Sequence, residues 1–372
     1  MQEKKILFIP AWYPDDTNIN SGNFVQDLAL HLSSPTTIVH VAYLNWSYKH
    51  TPKYQQITSI SDYLTEYRSK GFFPPRVGNI TRSAAAHLSA RHIIKDSSSA
   101  DYDIVHIHGY TSLSVGLQVA EHYGAKVILS LHHKDIIDGD ISPSLKKRLI
   151  TELIKVDQLI VPSTAMKEGL AQHFSVLSKI AVIPNYIDVS KIAKKQSNTI
   201  ARQGPIDCLA VGTFNKNKNH TLLVDLWAQL PDSYRLTIVG DGARKKAVQS
   251  LISQHGMADR VRIVDPMPKA RLLQEYAKYH VFVSTCTLES FCMTMLEAMA
   301  AGIPVVATTQ GGPADFVTSA NGVLTTAAAF VSDIQRTVQS LDRYDPQQVR
   351  ASVQHLSHRQ VVPYYSRLYR EL

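Results

Sequence analysis

Short apolar runs alternate along the chain with longer segments in which apolar residues recur every three or four positions. The short runs predict buried strands, and the longer segments predict helices. In the first half of the chain, the predicted strands are residues 6–9, 37–42, 104–107, 126–131 and 158–161. In the second half, they are residues 208–211, 235–239, 261–264, 281–284 and 304–307. This alternation is typical of parallel sheets covered by helices.

Helical spacing predicts helices over residues 24–32, 220–230, 243–255, 291–301 and 361–372. The first of them follows the Ser-Gly-Asn sequence of residues 21–23, which favours a helix start. In the last, Tyr364, Leu368 and Leu372 recur at four-residue intervals. Tyr365 and Tyr369 form a neighbouring pair with the same spacing, so the segment is predicted to be an amphipathic helix.

The composition changes between residues 188 and 205, where Lys, Gln, Ser, Asn and Gly dominate. Such a segment marks a domain boundary, and 372 residues are also many for one hydrophobic core. We therefore predict an α/β protein with two Rossmann-like, doubly wound parallel-sheet domains, residues 1–187 and 188–354. Sheets of this kind bind ligands at the carboxyl ends of their strands, so the two domains are expected to face a central cleft.

The composition favours a soluble globular protein, since 44% of the residues are hydrophobic and 19% are charged. The three sparse cysteines favour a reducing cytoplasm. Cys208, Cys286 and Cys292 have no pairwise spacing that predicts a disulfide framework or a zinc site. No apolar run approaches the roughly 18 residues that span a bilayer. The apolar stretch at residues 6–10 is too short for the core of a signal peptide.

The formal net charge of +8 indicates an anionic partner, and residues 46–95 carry much of it. Eight Lys and Arg residues in this window face only Asp62 and Glu66, and aromatic residues lie among them. Interleaved basic and aromatic residues suit a membrane interface or a nucleic acid. Since no nucleic-acid motif accompanies them, we expect no nucleic-acid partner. Two alternatives remain, a peripheral contact with an anionic membrane and a solvated loop-and-helix insert.

Two carboxylates near the start of one predicted helix carry the strongest chemical signal. Glu289 follows the predicted strand 281–284, and Glu297 lies eight residues later within the helix 291–301. The start of that helix presents unpaired backbone N–H groups and a positive dipole end, which favour a phosphate. A carboxylate beside the helix start can accept hydrogen bonds from the hydroxyls of a sugar. A second carboxylate further along the helix can accept hydrogen bonds from both hydroxyls of a ribose. One strand–turn–helix element can therefore hold a nucleotide-diphosphate sugar.

The Glu-x7-Glu spacing is embedded in Leu-Glu-Ala-Met-Ala-x-Gly-x-Pro-Val-Val-Ala-Thr and is followed by Gly311-Gly312. This string resembles the donor site of the retaining glycosyltransferases of family 4. The resemblance continues over residues 12–14, 21–25, 103–109, 130–135, 161–163, 183–188, 211–219 and 238–242. It implies the GT-B fold, with the C-terminal helix at residues 355–372 packed back on the first domain.

By this resemblance, Lys218 neutralises the donor diphosphate, Glu297 binds the ribose and Glu289 binds the donor sugar. His132 is expected near the reacting carbon, and Gly22 lets the backbone approach the substrates. Further donor-binding residues carried over are Thr213, Lys216, Phe291, Cys292 and Met293, and acceptor-side residues are Asn23, His108 and His133. The family's mechanism is a front-face substitution, in which departing phosphate oxygen deprotonates the acceptor, so no metal or other cofactor is expected.

Two positions depart from the family pattern. Thr213 stands where the family usually has Arg, and Cys292 stands where many relatives have Gly. Lys216 is close enough in sequence to compensate for the missing Arg. If position 292 needs a positive φ, Cys costs about 1 kcal/mol there. These departures leave open the hypothesis of a non-catalytic GT-B-like subunit that binds sugar or a partner glycosyltransferase. A sugar-nucleotide epimerase is a third hypothesis.

The expected substrates are a nucleotide sugar and a glycan or lipid-linked acceptor in bacterial surface polysaccharide synthesis. UDP-linked sugars are the first donor candidate and GDP-mannose the second. With a lipid-linked acceptor, the enzyme would work at the inner face of the membrane. A metal site formed by His106, His108, His132 and His133 is disfavoured because no carboxylates lie at ligand spacing. Gly240-x-Gly242 lacks the third glycine of a dinucleotide fingerprint.

Overall fold

The computed structural model describes residues 3–15, 19–47, 54–72, 79–96, 101–174, 180–197, 204–308 and 310–372. The chain divides into two units. The first comprises Met1–Pro162, Met166–Pro184 and Arg359–Leu372, and the second comprises Ser163–Ala165 and Asn185–His358. The first unit thus ends a few residues before the predicted boundary at residue 187, and the end of the chain belongs to it.

The first unit contains one sheet with the strand order β3-β4-β2-β1-β5-β6-β7-β8. All its neighbouring strands are parallel except β3 and β4, which form an antiparallel hairpin. The strands are β1 Lys4–Pro10, β2 Thr37–Ser47, β3 Tyr54–Ser61, β4 Leu64–Phe72, β5 Ile104–His108, β6 Lys126–Ser130, β7 Gln158–Val161 and β8 Ile180–Val182. The helices are α1 Asn23–Leu32, α2 Asn79–Asp96, α3 Leu113–Tyr123, α4 Asp135–Asp138, α5 Pro143–Leu153 and α6 Thr164–Phe174.

The second unit contains a fully parallel sheet with the order β11-β10-β9-β12-β14-β16 and a small parallel pair, β13-β15. The strands are β9 Ile206–Val211, β10 Tyr234–Val239, β11 Val261–Val264, β12 Val281–Ser284, β13 Leu288–Glu289, β14 Val305–Ala307, β15 Gln310–Gly311 and β16 Gly322–Leu324. The helices are α7 His220–Trp227, α8 Lys245–Gln254, α9 Lys269–Glu275, α10 Met293–Ala301, α11 Phe330–Gln339 and α12 Pro346–Ser352. The last helix of the chain, α13, spans His358–Glu371.

Both sheets are covered on both faces. Ile6, Leu7 and Phe8 of β1 are all fully buried, although successive side chains of a strand point to opposite faces. Val281, Phe282 and Val283 of β12 are buried in the same way. Continuous apolar runs are what a parallel sheet between two helix layers requires, which confirms the predicted α/β class. No helix among the described residues is long and apolar enough to cross a membrane.

Helix α13 packs a different face than its spacing suggested. Tyr365 and Tyr369 are buried together with Val361, whereas Tyr364 is 62% exposed. The Tyr369 hydroxyl lies 2.6 Å from Nδ1 of His106, whose Nε2 lies 2.7 Å from the Ser130 hydroxyl. These bonds tie the end of the chain to strands β5 and β6 of the first unit. The prediction of an amphipathic helix is correct, but Tyr364 does not belong to its apolar face.

The basic and aromatic window at residues 46–95 is partly described. It contains the hairpin β3–β4 and helix α2. The alternative of a loop-and-helix insert is therefore wrong for residues 54–72, which form two strands and not a loop. Some of the charged and aromatic residues that motivated a membrane contact lie outside the described residues. These are Tyr48, Lys49, Lys53, Phe73 and Arg76.

Helix α10 begins at Met293, two positions later than the predicted start at residue 291. Its N-cap, Cys292, has φ 75° and ψ 78°, in the left-handed region. A side chain in this region costs about 1 kcal/mol because its Cβ crowds the following carbonyl oxygen. Position 292 therefore has the positive φ at which a cysteine is expected to be strained, and the cysteine is accommodated without a change of this left-handed turn.

We expect Cys292→Gly to be more stable than Cys292→Ala by about 1 kcal/mol, since both lose the thiol but only alanine keeps the strained Cβ. Equilibrium urea unfolding of the two variants measures the difference. Gln249, an exposed residue of α8, serves as the control. There the order is expected to be reversed, because glycine is the weaker helix former. An alanine variant at position 292 that equals or exceeds the glycine variant would contradict strain at this turn.

Candidate active site

The position of Glu289 is set by the two-stranded ladder β13–β15. Leu288 pairs with Gln310 and Glu289 pairs with Gly311, so the loop after β12 is fixed to the loop after β14. Gly311 has φ 91°, and a Cβ there would lie 2.4 Å from the Glu289 carbonyl oxygen. Only glycine allows this close approach. The Gly-Gly sequence after the Glu-x7-Glu string thus serves to hold the backbone of Glu289.

The loop between β9 and α7 brings Lys218 to Glu289. The Lys218 ammonium forms an ion pair with Oε1 of Glu289, and both side chains are largely buried. Burial alone lowers the pKa of Lys218, but the charge and hydrogen bond of Glu289, together with the nearby Cys292 and Cys286, raise it more, so the net pKa is raised. Lys218 is therefore a permanent cation at neutral pH. The structure brings together these two residues, which the sequence assigned to the diphosphate and the donor sugar.

Asn217, which was not predicted from the sequence, holds the two loops together. Its side-chain nitrogen donates to the Leu288 carbonyl oxygen at 2.9 Å. Its side-chain oxygen accepts from the Thr287 hydroxyl at 2.8 Å, and its backbone carbonyl accepts from the Thr287 amide at 3.0 Å. These bonds join the loop after β9 to the loop after β12, much as ladder hydrogen bonds join two neighbouring strands. The only signal in the sequence was its place directly before Lys218.

The start of helix α10 lies in the same loop as Glu289. Phe291 is buried, and its ring lies 5.0 Å from that of Phe316. Cys292 caps the helix and Met293 is its first residue. Burial, with Glu289 nearby, raises the pKa of Cys292 to about 11, so its sulfur stays a thiol at neutral pH. The free N–H groups of this helix end can receive an anion.

Glu297 is buried within α10, with 5% of its surface exposed. The Tyr276 hydroxyl donates to its Oε2 at 2.8 Å. Burial and the adjacent carboxylate raise the pKa of Tyr276 well above its usual value, so the phenol remains a donor. Tyr276 thereby orients Glu297, and this role was not predicted from the sequence. Thr213 and Lys216 are exposed on the loop that carries Lys218.

The predicted site residues of the first unit lie at or after the carboxyl ends of β1, β5 and β6. Gly22 caps α1 with φ 65°, and a Cβ there would lie 2.2 Å from the Trp12 carbonyl oxygen. Asn23, the first residue of α1, donates to the Asn20 side chain at 3.5 Å. Gly22 is thus needed for the chain to pass over Trp12.

Three histidines make ring contacts at these strand ends, and two of them, His108 and His132, stack on each other. His108 and His132 are parallel with centroids 6.2 Å apart, and His133 packs on Tyr110 at 3.7 Å. His132 also contacts Phe24 at 4.5 Å. Among the described residues, neither ring nitrogen of His108 or His132 has a hydrogen-bond partner. Buried polar atoms without partners are costly, so these nitrogens are suited to bind the hydroxyls of a ligand.

Burial makes these imidazoles neutral. It lowers the pKa of His132 to about 3, with His133 adding to the effect, and that of His133 to about 4. It also lowers the pKa of His108 well below its usual value. At neutral pH each ring therefore has one N–H donor and one nitrogen acceptor. Such an array can orient hydroxyl groups, and it offers no positive charge to a phosphate.

Two family sequence models match the chain. The model for "Glycosyltransferase Family 4" matches residues 21–191, and that for "Glycosyl transferases group 1" matches residues 191–346. A D-inositol 3-phosphate glycosyltransferase of Xylanimonas cellulosilytica is 28% identical over 60% of this chain and 60% of its own length. A Campylobacter jejuni N-acetylgalactosaminyltransferase that acts on an undecaprenol-diphosphate-linked sugar is 31% identical over 44% and 45%. The matches therefore span about half the length of these relatives.

Solved structures share the fold over the whole chain. Sucrose-phosphate synthase from Thermosynechococcus elongatus has a TM-score of 0.83 at 20% identity, with 99% of both chains covered. Anabaena Alr3699/HepE, in complex with UDP and glucose, has a TM-score of 0.77 at 17% identity, with 100% of both chains covered. The resemblance found in the sequence is confirmed by the matches to these two glycosyltransferase family models, and the chain has the GT-B fold.

Proposed function

We propose that the protein is a retaining glycosyltransferase. It would move a sugar from a nucleotide-diphosphate sugar to a glycan or lipid-linked acceptor in bacterial surface polysaccharide or glycan synthesis, in the cytoplasm. The observation that carries the proposal is the Lys218–Glu289 pair beside the start of α10. It combines a cation and helix N–H groups for a diphosphate with a carboxylate for sugar hydroxyls.

In this proposal, donor binding replaces the Lys218–Glu289 ion pair. The diphosphate pairs with Lys218 and accepts hydrogen bonds from the N–H groups of Cys292 and Met293. The sugar hydroxyls donate hydrogen bonds to Glu289. Each charged group then exchanges one partner for another, so neither is left buried and unpaired. Glu297, oriented by Tyr276, accepts the ribose hydroxyls.

The transfer step needs no enzymic nucleophile. The bond between the anomeric carbon and the diphosphate oxygen breaks, and the acceptor oxygen bonds to the same face of that carbon. The acceptor proton passes to the departing phosphate oxygen. Lys218 stabilises the negative charge that develops on the leaving group, as preorganised charges do in other transfer reactions. Because Lys218 and the helix end supply this charge, no step requires a metal.

The first unit would bind the acceptor and the reacting end of the donor. His132 is placed at the sugar by the family resemblance, with Asn23, His108 and His133 on the acceptor side. Neutral imidazoles can orient an acceptor hydroxyl without attracting the leaving diphosphate. For the donor, UDP-linked sugars come first, since the similar Anabaena protein was solved with UDP and with UDP-glucose.

A non-catalytic subunit is the second candidate, favoured by two observations. Thr213 is an exposed threonine where an arginine is usual, so one cation for the diphosphate is absent at that position. Cys292 imposes strain at the turn that receives the phosphate. Lys216, exposed on the same loop, is the residue that would replace the missing arginine.

The donor can be identified by thermal-shift measurements with UDP, GDP, ADP, dTDP and CMP without added metal, followed by hydrolysis assays of the matching sugar nucleotides. We expect UDP to raise the melting temperature selectively and the UDP-sugar to release UDP slowly. A binding free energy adds directly to the stability of the folded state. If no nucleotide stabilises the protein, the non-catalytic reading replaces this proposal.

Lys218→Met and Glu289→Gln are each expected to lower donor turnover by roughly 10²- to 10³-fold, because each removes a group that acts on the transition state. Lys126→Met provides a matched control. Lys126 forms an ion pair with Asp157 at 3.1 Å at the amino end of β6, away from the strand ends that carry the site. Turnover in this variant should stay within about twofold of wild type. Equal losses in all three variants would contradict the assigned roles.

Contact with an anionic membrane is the last part of the proposal, and it rests on the charge of residues 46–95. We expect the protein to float with anionic liposomes at low salt and to be released as salt is raised, because charges near a lipid surface are screened. Neutral liposomes are the control. Failure to float with anionic liposomes at low salt would remove the membrane contact and leave the transfer reaction unaffected.

A further inference from the structure

The hairpin β3–β4 carries an ion pair between a buried Glu66 and a partly buried Arg68 that the proposed reaction does not use. Glu66 and Arg68 lie on β4, opposite Val41 and Tyr43 of the parallel strand β2. Glu66 is only 3% exposed. The Arg68 guanidinium donates to Oε2 of Glu66 from Nε at 2.9 Å and from Nη2 at 2.7 Å. Burying such a pair is costly unless every bond is made, so its partners indicate what it holds.

The shortest other bonds of this pair go to the loop that follows β1. The Tyr13 hydroxyl donates to Oε1 of Glu66 at 2.5 Å, and Nη1 of Arg68 donates to the Pro14 carbonyl oxygen at 2.5 Å. The Arg68 guanidinium also lies 5.1 Å from the centre of the Tyr13 ring. Gln26 of α1 adds a longer bond to Oε1 of Glu66, at 3.4 Å. One buried carboxylate thus joins the hairpin, the loop and the first helix.

The other side of the same loop touches the candidate acceptor site. The Trp12 ring lies 4.5 Å from the His133 ring. The Trp12 carbonyl oxygen is the atom that a Cβ at Gly22 would meet at 2.2 Å. A Cβ at Gly109 would lie 3.0 Å from the Trp12 ring. A shift of Tyr13 and Pro14 would therefore move the residues that pack on His133 and support Gly22.

We propose that Glu66 and Arg68 are positioning residues, which fix the loop of residues 11–15 so that Trp12 holds His133 and Gly22 in place for the transfer reaction. The proposal rests on the proposed function, because it assigns His133 and Gly22 to the substrate. Neither Glu66 nor Arg68 touches a reacting group. Their effect passes through Tyr13 and Pro14. An error of about 1 Å in the placement of reacting groups can cost 10²-fold in rate.

The first test compares Glu66→Gln and Tyr13→Phe with a control, Glu152→Gln. The control removes a partly buried carboxylate of α5 that accepts from the Ser114 hydroxyl at 2.5 Å. We expect Glu66→Gln to lower kcat/KM for donor-sugar hydrolysis by about tenfold or more, while the control stays within about twofold. Tyr13→Phe keeps the ring and removes only the hydroxyl, so it tests the same contact if Glu66→Gln fails to fold. Wild-type turnover in both Glu66→Gln and Tyr13→Phe would overturn the proposal.

A spectroscopic measurement separates positioning from general destabilisation and does not need turnover. The ring resonances of His133, assigned by loss in His133→Gln, report its stacking on Trp12 in histidine-labelled protein. They should shift in Glu66→Gln and Tyr13→Phe and stay unchanged in Glu152→Gln. An unshifted His133 signal in folded Glu66→Gln would overturn the proposal. If the wild type hydrolyses no donor, the proposed function fails, and a His133 shift still supports the link between the hairpin and the loop.

Discussion

The parallel direction of the strands in the second sheet is the constraint from which its candidate site follows. When all strands run the same way, the loops after them emerge at one edge. The loop after β9 carries Lys218 and the loop after β12 carries Glu289, and β9 and β12 are neighbours in the sheet. Two residues 71 positions apart in the chain therefore form an ion pair. Asn217 then links the loops bond by bond, so the pair is fixed by backbone as well as by charge.

Backbone strain is concentrated at this same edge. Among the residues that the structure describes, the non-glycine residues with left-handed φ are Asn219, at 49°, and Cys292, at 75°. Asn219 caps α7 directly after Lys218, and Cys292 caps α10 shortly after Glu289. Such conformations persist only where surrounding bonds over-determine them. The Thr285 hydroxyl, which donates to the Asn219 carbonyl oxygen at 2.9 Å, supplies one of those bonds.

Elements that show as a continuous pattern of apolar residues could be predicted from the sequence. Features that depend on contacts between distant residues could not. Buried strands such as β1 and β12 are apolar runs, and the pattern located them. The hairpin β3–β4 was missed because its strands are largely polar, and its charged pair points inward only through contacts with Tyr13 and Pro14. In α13, four-residue spacing fits both Tyr364 and Tyr365, and only packing against His106 decides between them. The roles of Glu289 and Glu297 could be predicted from a sequence string that resembles the family's. The roles of Asn217 and Tyr276 depend on hydrogen bonds that only the structure shows.

The two units differ in the charge that they bring to a substrate, and this difference constrains the chemistry. In the second unit, Lys218 stays protonated because Glu289, with Cys292 and Cys286 nearby, raises its pKa more than burial lowers it. In the first unit, burial keeps His132 and His133 uncharged. Under the proposed function, a diphosphate would be attracted to the second unit, and the imidazoles would interact with hydroxyls. Charging these imidazoles in the folded state would cost several kcal/mol, since each pKa unit corresponds to about 1.4 kcal/mol. A neutral acceptor hydroxyl that loses its proton to the leaving phosphate fits this distribution better than a histidine acting as the base.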